Sequence, residues 1–326
     1  MGTPDVVSSG AAVLTWNLGH DWHELFRYPF LRNAFEAGAV VAVMCGVVGW
    51  FAILRGETFA AHSLANAAFP GAAGAALLGL PPLLGYFGFA IGGALLISLL
   101  AAADPGERGA RIGNAAAVAA VQSLALAVGF LFVSLYRGVL GSLTSFLFGS
   151  FLGVTRGDVA ALTLVATGVL AAVAFLGRPL LFVSLDPEVA RAAGLPVRLV
   201  HIAFLVLLGT AVAAAATFTG VLLVFALLVV PPATAQLLTA RPSAAISISV
   251  PLGVAIVWSG LVVAFASNRP VGFCVTGVGG SVYLAVRLGA TVMRRIGLRG
   301  AGDPHADDHS DPQHGFGPDP TAGARP

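Results

Sequence analysis

Between residues 58 and 103 the only Asp, Glu, Arg or His side chain is His62. An imidazole in so apolar a stretch either ligates a borderline transition metal or hydrogen-bonds inside a helix bundle. Glu36 stands at the start of the next apolar stretch upstream. It reads as a group at a pathway entrance, or as a headgroup-level carboxylate favoured by a helix N-terminus. His201 is likewise alone among the residues from 199 to 240 and reads as interfacial. Asn114, Gln122 and Gln236 fit hydrogen bonding between helices. At the C-terminal end, AGDPHADDHSDPQHGFGPDPTAGARP interleaves His305, His309 and His314 with Asp303, Asp307, Asp308 and Asp311. Imidazole and carboxylate groups at this density hold a transition-metal ion weakly, and a plain acidic solvating tail is an equal reading.

The elements that position these groups follow from composition. Hydrophobic residues make up 57% of the 326, and charged ones 10%, with a mean hydropathy of +0.91. A soluble domain carries about 25% charged residues. Residues 37–54, 112–136, 138–155, 159–177 and 242–268 hold no Asp, Glu, Arg or His. A helix crosses the hydrocarbon with about 20 apolar residues, so 58–103 and 199–240 each contain two spans. The ten-residue alternation of a membrane barrel is absent. The reading is an all-α integral membrane protein, a polytopic bundle of about eight or nine transmembrane helices.

The expected spans are Ala34–Leu54, Thr58–Leu80, a third ending near Ala103, Ile112–Tyr136 and Val159–Leu176. Two more lie within Leu199–Leu238, with a turn near Thr217–Gly220, followed by Ala244–Ala266 and Val271–Arg287. Residues 138–155, rich in Gly and Ser, read as a short or re-entrant piece packed between spans. Residues 1–33 form a polar N-terminal arm without a signal-peptide layout, 34–290 the membrane domain, and 291–326 a disordered cytoplasmic tail. Cys45 and Cys274 read as buried free thiols.

Residues 184–196, SLDPEVARAAGLP, carry the punctuation of a short helix. Asp186 is an N-cap, Pro187 fits the first position, and Glu188 faces the positive end of the dipole. Arg191 lies in the last turn, Gly194 suits a left-handed stop, and Pro196 follows. A capped, charged helix of two turns lies at the membrane surface. With it in the cytoplasm, twelve of the 17 arginines fall inside, and Arg27, Arg32, Arg137, Arg156 and Arg269 outside. That bias places the C-terminus in the cytoplasm and, for an odd span count, the N-terminus outside.

The residues argue against several functions. All 17 basic residues are arginine, so the phosphate-binding Gly-x-x-x-x-Gly-Lys-Ser/Thr loop is absent and any ATPase is another chain. No nucleophile or acid–base constellation points to an enzyme, and no nucleic-acid partner is expected. A secondary transporter independent of ATP would carry acidic residues deep in its spans, and none occurs here.

Leu181–Val197 (LFVSLDPEVARAAGLPV) resembles the cytoplasmic loop of the ABC-type zinc and manganese permeases. Gly220–Ala235 (GVLLVFALLVVPPATA) is similar to their Pro-Ala-Ala-Thr-Ala helix. Ala34–Arg55, followed by Ala65–Gly71 (ANAAFPG), resembles their first span and Gly-Asp-Ala-Leu-Ser-His-Ala-x-x-Pro-Gly segment. The likeness runs from about residue 30 to 290. It implies a permease subunit of the bacterial inner membrane that imports a divalent transition-metal ion, zinc first and manganese second. Two copies would form a homodimer, with an ABC ATPase on the cytoplasmic face and an extracytoplasmic metal-binding protein outside. Asp186, Pro187, Glu188, Arg191 and Gly194 would belong to the coupling helix, residues 186–194, that seats in the ATPase. No tightly bound cofactor is implied; the Zn or Mn ion is the substrate. The alternatives are a permease for a metal chelate, such as a siderophore or cobalamin, or an ATP-independent secondary transporter.

Counted back from Pro70-Gly71, the family's Asp falls on His62 and its His on Asn66, four residues apart on one helix face. A carboxylate–imidazole pair has become imidazole–amide. His62, Asn66 and Glu36 are the metal-pathway candidates. Loss of the carboxylate removes negative charge that would draw a dication into a low-dielectric passage.

Overall fold

A computed structural model describes residues 29–101, 107–135 and 153–300. Of the expected arm 1–33, residues 1–28 lie outside these residues, as do 301–326 of the expected tail 291–326, with His305, Asp307, Asp308, His309 and His314, and nearly all of 138–155; residues 29–33 and 291–300 are helical instead. Ten α-helices fill the described chain. They are α1 Pro29–Leu54, α2 Thr58–Leu77, α3 Pro82–Ala101, α4 Glu107–Leu135 and α5 Arg156–Leu185. A short α6, Pro187–Ala192, precedes α7 Val197–Thr219, α8 Val221–Leu238, α9 Pro242–Ser267 and α10 Val271–Gly300. Contacts divide the chain into two units, Met1–Arg287 and Leu288–Pro326, the second of which contributes the end of α10 to the described residues.

Seven helices are long and apolar enough to cross a membrane: α1, α3, the Ala115–Leu135 part of α4, α5, α7, α9, and Val271–Met293 of α10. In α2 the run is diluted by His62, Ser63 and Asn66, and the apolar part of α8 is the shorter Leu223–Leu238. Both are packed among other helices: α2 against α3, α4, α7 and α8, and α8 against α1, α7 and α9. Polar or short segments are tolerated at membrane depth when protein rather than lipid surrounds them. With these two the bundle reaches the expected eight or nine embedded helices, plus the surface helix α6.

Burial separates inner from outer helices. The spanning windows of α1 and α7 are 67% and 61% buried, those of α4 and α5 only 28% and 22%. The inner helices meet through small residues. A Cβ on Gly49 of α1 would collide with the Leu228 carbonyl of α8, and Cβ atoms on Gly71 of α2 and Gly85 of α3 would each strike the other's carbonyl. Hydrogen bonds add cross-ties: Ser249 Oγ donates to the Gly46 carbonyl at 3.1 Å, and Ser63 Oγ to that of Val118 at 3.2 Å. Such close backbone approach is the ordinary currency of helix association in lipid.

Several boundaries differ from the sequence reading: α2 ends at Leu77 rather than Leu80, and α10 runs to Gly300 rather than Arg287. Helix α1 is already helical at Pro29, ahead of the expected Ala34, and holds an Arg32–Glu36 pair at 2.9 Å near its described start. Helix α5 starts in a Thr155–Asp158 capping box and runs through Arg178 and Pro179 to Leu185 instead of ending near Leu176. Pro179 removes a backbone donor, but Leu180 and Val183 are buried and hold the last turns in place. At about 45 Å, this helix outruns a hydrocarbon core of about 30 Å. Between α7 and α8 the expected turn is one residue, Gly220, at φ +76° and ψ 156°. Only glycine takes that backbone without strain.

Replacing Gly49 with valine should drive α1 from α8 and cost about 2 kcal/mol or more by overpacking. The measurement is the midpoint of detergent unfolding of the purified protein. An unchanged midpoint would mean that the two helices do not touch there.

Candidate ion pathway

Helix α2 positions the central candidates. His62 and Asn66, one turn apart and both half-buried, come together: Asn66 Nδ2 lies 3.1 Å from His62 Nε2. An amide nitrogen only donates, so in this arrangement Nε2 accepts and the ring proton sits on Nδ1. Nδ1 is buried and has no hydrogen-bond partner among the described residues. Phe225 of α8 packs edge-on against the imidazole, with ring centroids 4.7 Å apart. The site is therefore an imidazole held on one nitrogen by an amide and on one face by an aromatic ring, its other nitrogen unsatisfied.

Glu36 does not join them. Its carboxylate accepts from Arg32 Nε at 2.9 Å, and both side chains are about half exposed. It sits near the start of α1, whereas His62 follows the turn at the end of α1. Among the described residues no three His, Cys, Asp or Glu side chains gather in a metal-binding group.

Helix α6 follows its capping signals closely. Asp186 Oδ1 accepts from the backbone N–H groups of Glu188 at 3.1 Å and Val189 at 2.9 Å, with Pro187 at the first position. Gly194 takes φ +82°. Ala190 is buried inward, while Glu188, Val189 and Arg191 are exposed. Leu185, Val189 and Leu199 present 72%, 51% and 63% of their surface around the helix, an apolar collar on a charged element.

The sequence did not reveal a second polar site behind α6. Arg55, which reads as a simple turn charge in Arg55-Gly56-Glu57, donates from one guanidinium nitrogen to Ser184 Oγ at 3.1 Å. Its other terminal nitrogen lies 3.1 Å from His201 Nδ1. Guanidinium has no acceptor, so Nδ1 accepts and the His201 proton sits on Nε2. The Arg55 head also lies over the Phe204 ring, 5.1 Å from its centroid. Glu57 Oε1 is 3.6 Å from the same imidazole nitrogen, beyond hydrogen-bond range. Burial raises the Glu57 carboxyl above its ordinary pKa, and the Arg55 charge opposes that rise. Burial also lowers the Arg55 guanidinium, with Glu57 opposing. The partners lie 129 and 146 residues from Arg55 in sequence, so no local pattern announces the cluster. It also fixes sidedness: the α1–α2 turn lies at the same end of the bundle as α6.

Relatives share this architecture over most of its length. The ABC 3 transport family matches residues 27–289. The manganese transport system membrane protein MntC of Halalkalibacterium halodurans is 29% identical over 69% of this chain and 75% of its own length. MntC of Listeria innocua is 30% identical over 75% and 85%. Among solved structures, PsaBC from Streptococcus pneumoniae in complex with Fab superposes with a TM-score of 0.74 at 26% identity, covering 86% of this chain and 99% of that one. A metal-chelate type ABC transporter in an inward-facing conformation has the same fold, with a TM-score of 0.67 at 17% identity. This chain belongs to the ABC 3 transport family and is a multi-span permease of the bacterial cell membrane.

Proposed function

We propose that this permease imports a divalent transition-metal ion, manganese before zinc, past His62 on α2. The manganese transport proteins among its relatives support that order, which reverses the one the family resemblance implied. The observation that carries the site is the buried, unpartnered Nδ1 of His62. If the Asn66 amide turns over, its oxygen accepts from Nε2–H and the Nδ1 lone pair is released toward an ion. In this reading Asn66 orients the ligand and does not coordinate. A neutral imidazole with no carboxylate beside it binds a dication weakly, which suits a passage that must let its cargo go.

ATP hydrolysis belongs to a separate ABC ATPase, docked on the cytoplasmic face against α6. A metal-binding protein delivers the ion from outside, and a second permease copy completes the passage. The support for α6 is physical. A helix capped at both ends by Asp186 and Gly194 transmits a push as a unit, and its collar of Leu185, Val189 and Leu199 suits a groove in a partner. The expected metal-holding tail residues His305, Asp307, Asp308, His309 and His314 remain a proposal of weak cytoplasmic capture.

Elemental analysis of manganese, zinc and iron in a deletion strain, its complement and a His62→Ala complement tests the substrate and the site. Manganese should fall in the deletion, and His62→Ala should lower metal-limited uptake at least about tenfold at normal permease levels. Wild-type uptake by His62→Ala would remove the histidine from the pathway; an unchanged metal content in the deletion would reject metal import. Deletion of residues 186–194, or Gly194→Pro, should abolish co-purification of the ATPase while the permease still inserts. Intact ATPase binding after the deletion would sink the coupling role.

A further inference from the structure

We infer that Arg55 is a positioning residue that latches the coupling helix to the helix carrying His62, so that movement of one is felt by the other. The inference rests on α6 being the ATPase contact. The two acceptors of Arg55 flank α6 in the chain: Ser184 is two residues before its N-cap Asp186, and His201 lies in the opening turns of α7, which follows α6. One guanidinium thus bridges both ends of the segment that an ATPase would push.

The other end of the latch is equally short. Arg55 closes α1, and its backbone N–H bonds the Phe51 carbonyl at 3.0 Å. Glu57, two residues on, is the N-cap position of α2, and its carbonyl accepts from Ala61 N–H at 2.9 Å. His62 follows on the same helix. The route to His62 from the residues flanking α6 is therefore a fork of two hydrogen bonds, one three-residue turn and the first turns of a rigid helix.

The turn itself is fixed. Glu57 N–H bonds the Ala52 carbonyl at 2.7 Å, and Gly56 N–H that of Ile53 at 3.1 Å, with Gly56 at φ +71°. The Arg55 head is gripped on one face by the Phe204 ring, and His201 and Glu57 side chains are only 21% and 13% exposed. Charge-assisted bonds shielded from water hold their geometry better than exposed pairs. Arginine suits the role because a planar fork meets two acceptors at once, whereas an ammonium meets them as a point charge. A packed polar element joining two sites is the kind of structure through which coupling energy travels.

The test uses the whole permease–ATPase complex in proteoliposomes and reads Mn2+ moved per ATP hydrolysed, or Zn2+ if the wild type moves no Mn2+. The variants are Arg55→Ala, Arg55→Lys, and Ser184→Ala with His201→Phe, which removes both acceptors and leaves the arginine. Arg55→Ala and the acceptor pair should keep the ATPase bound and ATP hydrolysis running, with ion moved per ATP reduced at least about fivefold. Arg55→Lys should recover part of that loss, which a residue acting only in folding would not show. If Arg55→Ala fails to insert, the acceptor pair decides the matter. A wild-type ion-to-ATP ratio in the acceptor pair, or loss of ATPase binding in place of loss of coupling, overturns the latch. The assignment beneath it fails separately: an ATPase that still binds after deletion of 186–194 shows that α6 is not the contact.

Discussion

Helices already in a bilayer gain little by burying apolar side chains against one another, because lipid tails are as apolar as leucine. What holds them is closeness: dispersion between backbones that small residues allow to touch, and hydrogen bonds that have no water to compete with them. In this chain those contacts fall between Gly49 and Leu228, and between Gly71 and Gly85. They seat α1 against α8 and α2 against α3, and so decide where Phe225 meets His62. Only part of the chain's glycine is used in this way: Gly88, Gly92, Gly168 and Gly177 meet no neighbouring atom within 4 Å.

The same scarcity of water gives polar groups their weight. Most serines and threonines in the spans bond a carbonyl one turn back in their own helix, as Thr210 does to Val206 and Thr234 to Val230. They are satisfied locally and leave nothing over. His62 differs, because its neighbours among the described residues provide one partner for two ring nitrogens. A buried polar atom left unpaired costs about 1–3 kcal/mol, and turning the Asn66 amide over would move the ring proton to Nε2, where the amide oxygen accepts it. Arg55 has both terminal nitrogens engaged and an aromatic ring beneath, while its Nε, like His62 Nδ1, is buried without a partner among the described residues.

Local chemistry was readable in the sequence wherever it acts over a few residues. The Asp186 cap, Pro187 at the first position and the left-handed Gly194 are short-range effects, and their geometry follows from residue type alone. The all-helical class and the family followed from composition and motif. Boundaries suffered where a local stop signal met a tertiary contact: Pro179 argues for a helix end, but the burial of Leu180 and Val183 carries α5 onward. The pairing of His62 with Asn66 was visible as a spacing, yet its sense was not. Four residues on one face suggested two groups turned toward an ion, whereas the amide faces the imidazole itself. The Arg55 cluster was invisible, since it joins the ends of three helices through partners more than a hundred residues away.

Gly220 carries a mechanical implication. A single residue, about 3.8 Å of chain, separates α7 from α8, and both Thr219 and Val221 beside it are buried. Such a joint permits a change of direction but stores almost no slack. Helix α7 holds His201 in its opening turns, and α8 presents Phe225 to His62. An axial shift of α7 would therefore reach α8 undiminished, like a pull on a taut cord run over a pulley.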